Sequence, residues 1–131
     1  MTKFHQLTPN LMVNNVNATV EFYQNILNFE LEISVPQDGD FVWAMVKKDN
    51  VCLMFQDQNS IQEEYPTLKN AAIGGSLTLY IKTENISDLF SKLQKQTDII
   101  TDLHETCYGT KEFAIKDING FILTFAEGKN G

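Results

Sequence analysis

The chain contains no arginine, a single tryptophan, three prolines and two cysteines in 131 residues. Ten lysines are spread thinly against seventeen Asp and Glu, for a formal charge of −7. Nucleic acid and anionic membrane surfaces are bound through clustered Lys and Arg, so neither is expected as a partner. Cys52 and Cys107 form neither a CxxC pair nor a disulfide framework, and reduced thiols in a cytoplasmic protein are the expectation. No apolar run approaches the roughly 18 residues of a membrane span, and Met1 to Gln6 has no signal-peptide character. What is present is ordinary globular composition, 43% hydrophobic and 21% charged. The length suits one domain whose core needs no staples. The acidic balance favours a cationic or neutral small molecule over an anionic one.

Hydrophobic periodicity divides the chain into strand, helix and three strands, twice over. Leu7 to Asn14 is extended, with Pro9 near its start. Val16, Val20, Tyr23 and Leu27 recur at helical spacing behind Asn15 as cap, and Asn28 is suited to the left-handed turn that ends a helix. Phe29–Val35, Phe41–Lys47 and Val51–Gln56 read as strands, the first stopping at Pro36-Gln37-Asp38-Gly39. In the second half Ser76–Lys82 is a strand, and Ile86, Leu89, Phe90 and Leu93 mark a helix face capped by Asn85. Ile99–Leu103, Lys111–Lys116 and Phe121–Ala126 complete the set, with Asn119-Gly120 as the last hairpin turn.

An offset of 70 superposes the halves. It matches Thr8 with Thr78, Asn15 with Asn85, Ala44 with Ala114, Leu53 with Leu123 and Phe55 with Phe125, and sets Trp43 against Phe113. The expected organisation is a module over residues 6–56, a connector over 57–75 and a second module over 76–127. The connector contains Ser60-Ile61-Gln62-Glu63, a capping-box pattern, so a short helix is expected over Ile61–Tyr65, broken by Pro66 and followed by a Gly74-Gly75 hinge. A connector of this length often covers a site or a subunit contact.

Two stretches carry a family resemblance. Leu11-Met12-Val13-Asn14-Asn15-Val16, running into Glu21-Phe22-Tyr23-Gln24-Asn25-Ile26-Leu27-Asn28-Phe29, is similar to the V-x-D…F-Y-x-x-x-L-G-F signature of the vicinal-oxygen-chelate superfamily, with Asn28 in place of the usual Gly. Tyr108 to Phe113, continuing through Lys116-Asp117-Ile118-Asn119-Gly120-Phe121, resembles the G-x-x-E-F…D-P-x-G-N tail of the same group. The superfamily holds glyoxalase I, extradiol dioxygenases, and the fosfomycin- and bleomycin-resistance proteins. The resemblance implies an α+β fold of two tandem βαβββ modules, whose curved mixed sheets enclose a cleft, and a homodimer.

Metal-dependent members of that superfamily place a ligand on the first strand of each module and a carboxylate on the last. Those positions fall here on Thr8, Met54, Thr78 and Thr124, none of which is the His, Asp or Glu a divalent cation would need. His5 is three residues from Thr8 and faces the other way. His104 is expected in a loop after the sixth strand, and Glu112 and Glu127 read as isolated. No metal or other cofactor is expected.

Neither GxSxG, HExxH nor a phosphate-binding glycine loop occurs, and Cys107 near His104 reads as an inert thiol beside a surface imidazole. Strand alternation instead points Asn10, Met12, Gln56, Tyr80 and the four ligand-position residues into the cleft, joined by Trp43 and Tyr108, a mixed lining suited to an organic molecule. The expected function is therefore metal-free small-molecule binding similar to that of bleomycin-resistance proteins. A lyase, isomerase or dioxygenase of the glyoxalase branch is the alternative. Parity alone leaves open whether Trp43 faces the cleft or the helices.

Overall fold

The structure, a computed structural model, describes residues 1–129. The chain forms two compact units, Met1–Asn70 and a second opening at Ala71. The first contains β1 (Asn10–Val13), α1 (Val16–Asn25), β2 (Glu30–Val35), β3 (Trp43–Lys48), β4 (Val51–Asp57) and α2 (Gln58–Glu64), then a 3-10 turn over Pro66–Leu68. The second contains β5 (Thr78–Lys82), α3 (Ile86–Leu93), β6 (Asp98–Glu105), β7 (Lys111–Lys116) and β8 (Ile122–Glu127). Each unit builds one four-stranded mixed sheet, ordered β1-β4-β3-β2 and β5-β8-β7-β6. The fold is α+β, in two βαβββ modules. No helix among the described residues is long and apolar enough to cross a membrane.

Side-chain alternation decides which face of each sheet is core. In the first unit Leu11, Val13, Ala44, Val46, Leu53 and Phe55 are buried beneath Val16, Val20 and Tyr23 of α1. The Tyr23 ring lies 4.9 Å from Phe55 and 5.5 Å from Phe29, within the range of favourable aromatic pairs. Asn15 caps α1 by accepting from the Ala18 amide at 3.0 Å, and Asn28 takes a left-handed φ of 61°. Asn17 then ties the β2–β3 loop to the helix, donating to the Gly39 carbonyl at 2.9 Å and accepting from the Phe41 amide at 2.8 Å. The second unit repeats the plan: Leu79, Phe113, Ile115, Leu123 and Phe125 are buried on the side of α3, and Phe113 packs between Phe90 and Phe125, each 5.2 Å away.

Several local expectations are corrected. β1 opens at Asn10 rather than Leu7, because Pro9 has no amide to donate and its carbonyl takes the first bond, from Met54 N at 2.9 Å. α2 starts three residues ahead of the expected Ile61. Its cap is Asp57, whose carboxylate accepts from the amides of Asn59 and Ser60, and Pro66 opens the 3-10 turn that follows. At α3 the Asn85 side chain makes no cap. The Glu127 carboxylate, arriving from β8, accepts from the Asn85 and Ile86 amides at 3.3 and 3.0 Å. Gly74 is no free hinge: its φ is +83°, and a Cβ there would lie 2.5 Å from the Asn119 carbonyl oxygen in the β7–β8 turn. β6 extends to Glu105, so His104 sits in a strand rather than a loop.

The internal repeat also needs a correction of register. The offset of 70 holds for β1 against β5 and for β4 against β8. It fails for β3 against β7: Ala44 is opposite Phe55, whereas Phe113, not Ala114, is opposite Phe125. The longer connection between β7 and β8 absorbs the extra residue. The counterpart of Trp43 is therefore Glu112, and Phe113 belongs to the core face.

Candidate functional site

Opposite the helices, each sheet presents a second face, and cross-strand pairing identifies what stands on it. In the first unit one row runs Met12, Gln56, Trp43 and Val35; the next runs Asn10, Met54, Met45 and Ile33; a third places Cys52 beside Lys47 and Glu30. Trp43 thus shares a face with Met54 and Gln56 and points away from α1, while its neighbour Ala44 is fully buried in the core. Asn10, Met12, Trp43, Met54 and Gln56 are brought together. Thr8 precedes β1 and accepts a 3.3 Å bond from the Gln6 side chain. Met45 completes the apolar centre, a residue that strand parity could have named once Trp43 was placed.

The connector covers part of this face. The Gln56 side chain accepts from Asn10 Nδ2 at 2.8 Å and donates to Ser60 Oγ at 2.9 Å and Glu64 Oε1 at 3.0 Å. Gln62 of α2 reaches back to the Met12 sulfur and to the carbonyls of Leu68 and Lys69. Gln56 and Met12 are consequently each only 8% exposed, and the Gln56 amide is committed to Asn10 through its oxygen and to α2 through its nitrogen. At the centre of the face Trp43, Met45 and Met54 remain half-buried, and Asn10, Ile33 and Val35 around them are exposed.

The second unit carries a different arrangement. Thr78 and Tyr80 of β5 stand beside Ile122 and Thr124 of β8, and Thr124 pairs onward with Ala114. The adjoining row runs Lys82, Ala126, Glu112 and His104. Glu112, far from isolated, is the focus. Its Oε2 accepts from Tyr80 Oη at 2.7 Å, Thr110 Oγ1 at 3.1 Å and Tyr108 Oη at 3.2 Å. Tyr108 and Thr110 come from the β6–β7 loop, tightened by a bond from the Gly109 amide to the Thr106 carbonyl. Glu112 is 9% exposed, whereas Tyr80 and Tyr108 are 53% and 69% exposed. A 310 Å³ pocket beside them is lined by Tyr80, Lys82, Thr83, Glu84, Thr110 and Ala126. Glu127, the other acid expected to stand alone, is the α3 cap.

Electrostatics follow from these bonds. The hydrogen bond from Tyr80, with further ones from Thr110 and Tyr108 and the nearby His104, holds the Glu112 carboxyl below the usual carboxylate range despite its burial. Donating to that carboxylate pushes the Tyr80 phenol up to about 12. Both shifts lead away from neutrality, so neither group is poised to exchange a proton at physiological pH.

The donor set does not fit a divalent metal at the positions the superfamily uses. Met54 sits between Asn10 and Met45, and Thr124 between Tyr80 and Ala114, offering a thioether and a hydroxyl where carboxylate or imidazole is required. His104 faces Glu112 across the strands, yet no group of three His, Cys, Asp or Glu side chains converges among the described residues. His104 Nδ1 is also engaged with the Asp102 carbonyl at 2.8 Å.

Comparison with curated proteins by sequence yields no match. Among solved structures the fold is similar to TioX from Micromonospora sp. ML1, at 15% identity and TM-score 0.76, covering 95% of this chain and 98% of that one. It is similar also to the antibiotic binding protein TnmS3 from Streptomyces sp. CB03234, at 18% identity and TM-score 0.75, covering 98% and 99%. The bleomycin-binding protein of Streptomyces verticillus, solved with copper(II)-bleomycin, matches at 22% identity and TM-score 0.67, covering 98% and 100%. The profile of one family spans nearly the whole sequence, residues 3–125, and the chain belongs to the Glyoxalase/Bleomycin resistance protein/Dioxygenase superfamily.

Proposed function

We propose that the protein binds a small organic molecule on the open faces of its sheets, without a metal, and sequesters it rather than transforming it. The observation that carries this reading is the chemistry at the superfamily's ligand positions. Thr8, Met54, Thr78 and Thr124 replace metal donors, and around them stand Trp43, Met45 and Tyr80, surfaces that hold organic rings and chains by contact. The ionisation of Glu112 and Tyr80 supports binding over acid–base catalysis. Relatives of the same fold that bind bleomycin or another antibiotic lend support from outside the chain.

Trp43, the only tryptophan, reports on the first face directly. The test is titration of Trp43 emission, with native mass spectrometry, against a panel of aromatic antibiotics that includes metal-free bleomycin. The expected result is a one-to-one organic adduct of unchanged mass, released intact, whose formation shifts the emission. Chemical conversion of a panel member by the purified protein would overturn sequestration in favour of an enzyme.

A further inference from the structure

Resting on that reading of the protein as a binder, we propose that the second unit selects an organic cation that brings N–H donors, an amidinium, guanidinium or primary ammonium group, held between the Tyr80 ring and the Glu112 cluster. A phenol has a single O–H to donate, and that of Tyr80 is given to Glu112. Thr110 likewise donates to Glu112, which leaves Thr106 as the donor in the 2.7 Å contact between the two threonines. Tyr108 directs its proton to the same oxygen. Every hydroxyl around the carboxylate is therefore turned inward, and what faces outward is lone pairs. Glu112 Oε1 accepts no bond from the described residues. The Tyr80 and Tyr108 oxygens accept no bond from the described residues, and such acceptors beside a carboxylate are complementary to a donor-bearing cation.

Three further features fit the same guest. Tyr80 is half exposed and lines the 310 Å³ pocket, so its ring is available for a cation above its face. Donation of its proton to a carboxylate enriches both the ring and the outward lone pair. The pocket itself is large enough for a single-ring compound. The charged neighbours are Lys82 and Glu84, which line the pocket, Lys129, whose side chain lies against Gly109, and His104 across from Glu112. Lys82 is separated from Glu112 by Ala126, and no ion pair joins the two among the described residues, so the carboxylate is not neutralised from within.

The test uses four probes of nearly one shape: benzamidinium, benzyltrimethylammonium, benzamide and benzoate. Each is titrated into the isotopically labelled full chain while backbone amide resonances are followed. Benzamidinium is expected to bind most tightly, benzyltrimethylammonium next, benzoate least, with shifts centred on Tyr80, Thr83, Thr110 and Ala126. Glu112→Gln should weaken benzamidinium about tenfold, the loss of one charged hydrogen bond, whereas Glu21→Gln on the exposed side of α1 should leave it unchanged. Tyr80→Phe, which keeps the ring and removes the outward lone pair, should erase the preference for benzamidinium over benzyltrimethylammonium. That variant decides the matter if Glu112→Gln fails to fold. Benzoate or benzamide binding as tightly as benzamidinium, unchanged affinity in a folded Glu112→Gln, shifts confined to the first unit, or no binding by any probe would each overturn the cation site. None of those outcomes touches the antibiotic panel, on which the broader binding reading stands or falls.

Discussion

Glu112 and Trp43 occupy equivalent places in the two modules and have opposite chemistry, an ionised carboxylate in one and an indole in the other. The consequence for Glu112 is a pH dependence with a definite sign. Its folded pKa lies below the ordinary value, so the stability it contributes is present above the unfolded pKa and lost as pH falls through the folded one. Thermal melts of the native chain and Glu112→Gln should differ most at neutral pH and converge under acid conditions. A difference that persists undiminished at pH 3 would assign the effect to packing instead. Tyr80 reports the same bond from the other side, since its raised phenol should return to the ordinary range in Glu112→Gln, read as phenolate absorbance. Little of this cluster was legible in the sequence. The sequence names Tyr80 and Tyr108 as lining residues but not the partner they share. The parallel pairing of β5 with β8 brings Tyr80 to Glu112 from 32 residues away, and no local pattern records that approach. Trp43 was legible as a candidate but not as a direction, until the register with Gln56 fixed its face.

Elements were the most legible scale, because all eight strands and both long helices follow from periodicity and turn residues. The caps were less so. Asn15 does what its position suggests, whereas at the equivalent Asn85 the bonds go to Glu127, 41 residues from Ile86. Glu127→Ala should therefore leave two amides without their acceptor and cost about 1 kcal/mol, measurable by denaturant unfolding, while Asn85→Gly, which suits the left-handed φ of 55°, should cost nothing or stabilise. Gly74→Ala should be worse than either. It combines a positive φ with a backbone carbonyl 2.5 Å from the new methyl group, and a loss of more than about 1 kcal/mol is expected. A Gly74→Ala protein as stable as the native one would mean that the β7–β8 turn yields without cost. The helix α2 escaped the capping-box reading for a related reason. Asp57 ends β4 and caps the helix at once, so the helix begins where the strand stops and Ser60 is left free to hold Gln56.

At the level of the molecule, duplication gives two sheets of one topology and two open faces of different character, apolar and sulfur-rich in the first unit, hydroxyl-rich around a carboxylate in the second. Edge strand β2 leaves Ile33 and Val35 half exposed, and a sheet edge of this kind is usually paired or covered. A homodimer is the expected state, and sedimentation at micromolar concentration should return twice the 14.9 kDa chain mass. A stable single-chain mass would contradict it. The proposed binding of an organic ligand without a metal is tested by metal loading. The purified chain, dialysed against Zn, Mn, Fe and Ni in turn, is analysed for bound metal and for its melting temperature. A metal that binds the native state must raise that temperature by mass action. Substoichiometric metal and an unchanged melt are expected for all four ions, because Thr8, Met54, Thr78 and Thr124 supply no ligand set. About one tightly held ion per chain, accompanied by a concentration-dependent rise in melting temperature, would contradict metal-free binding.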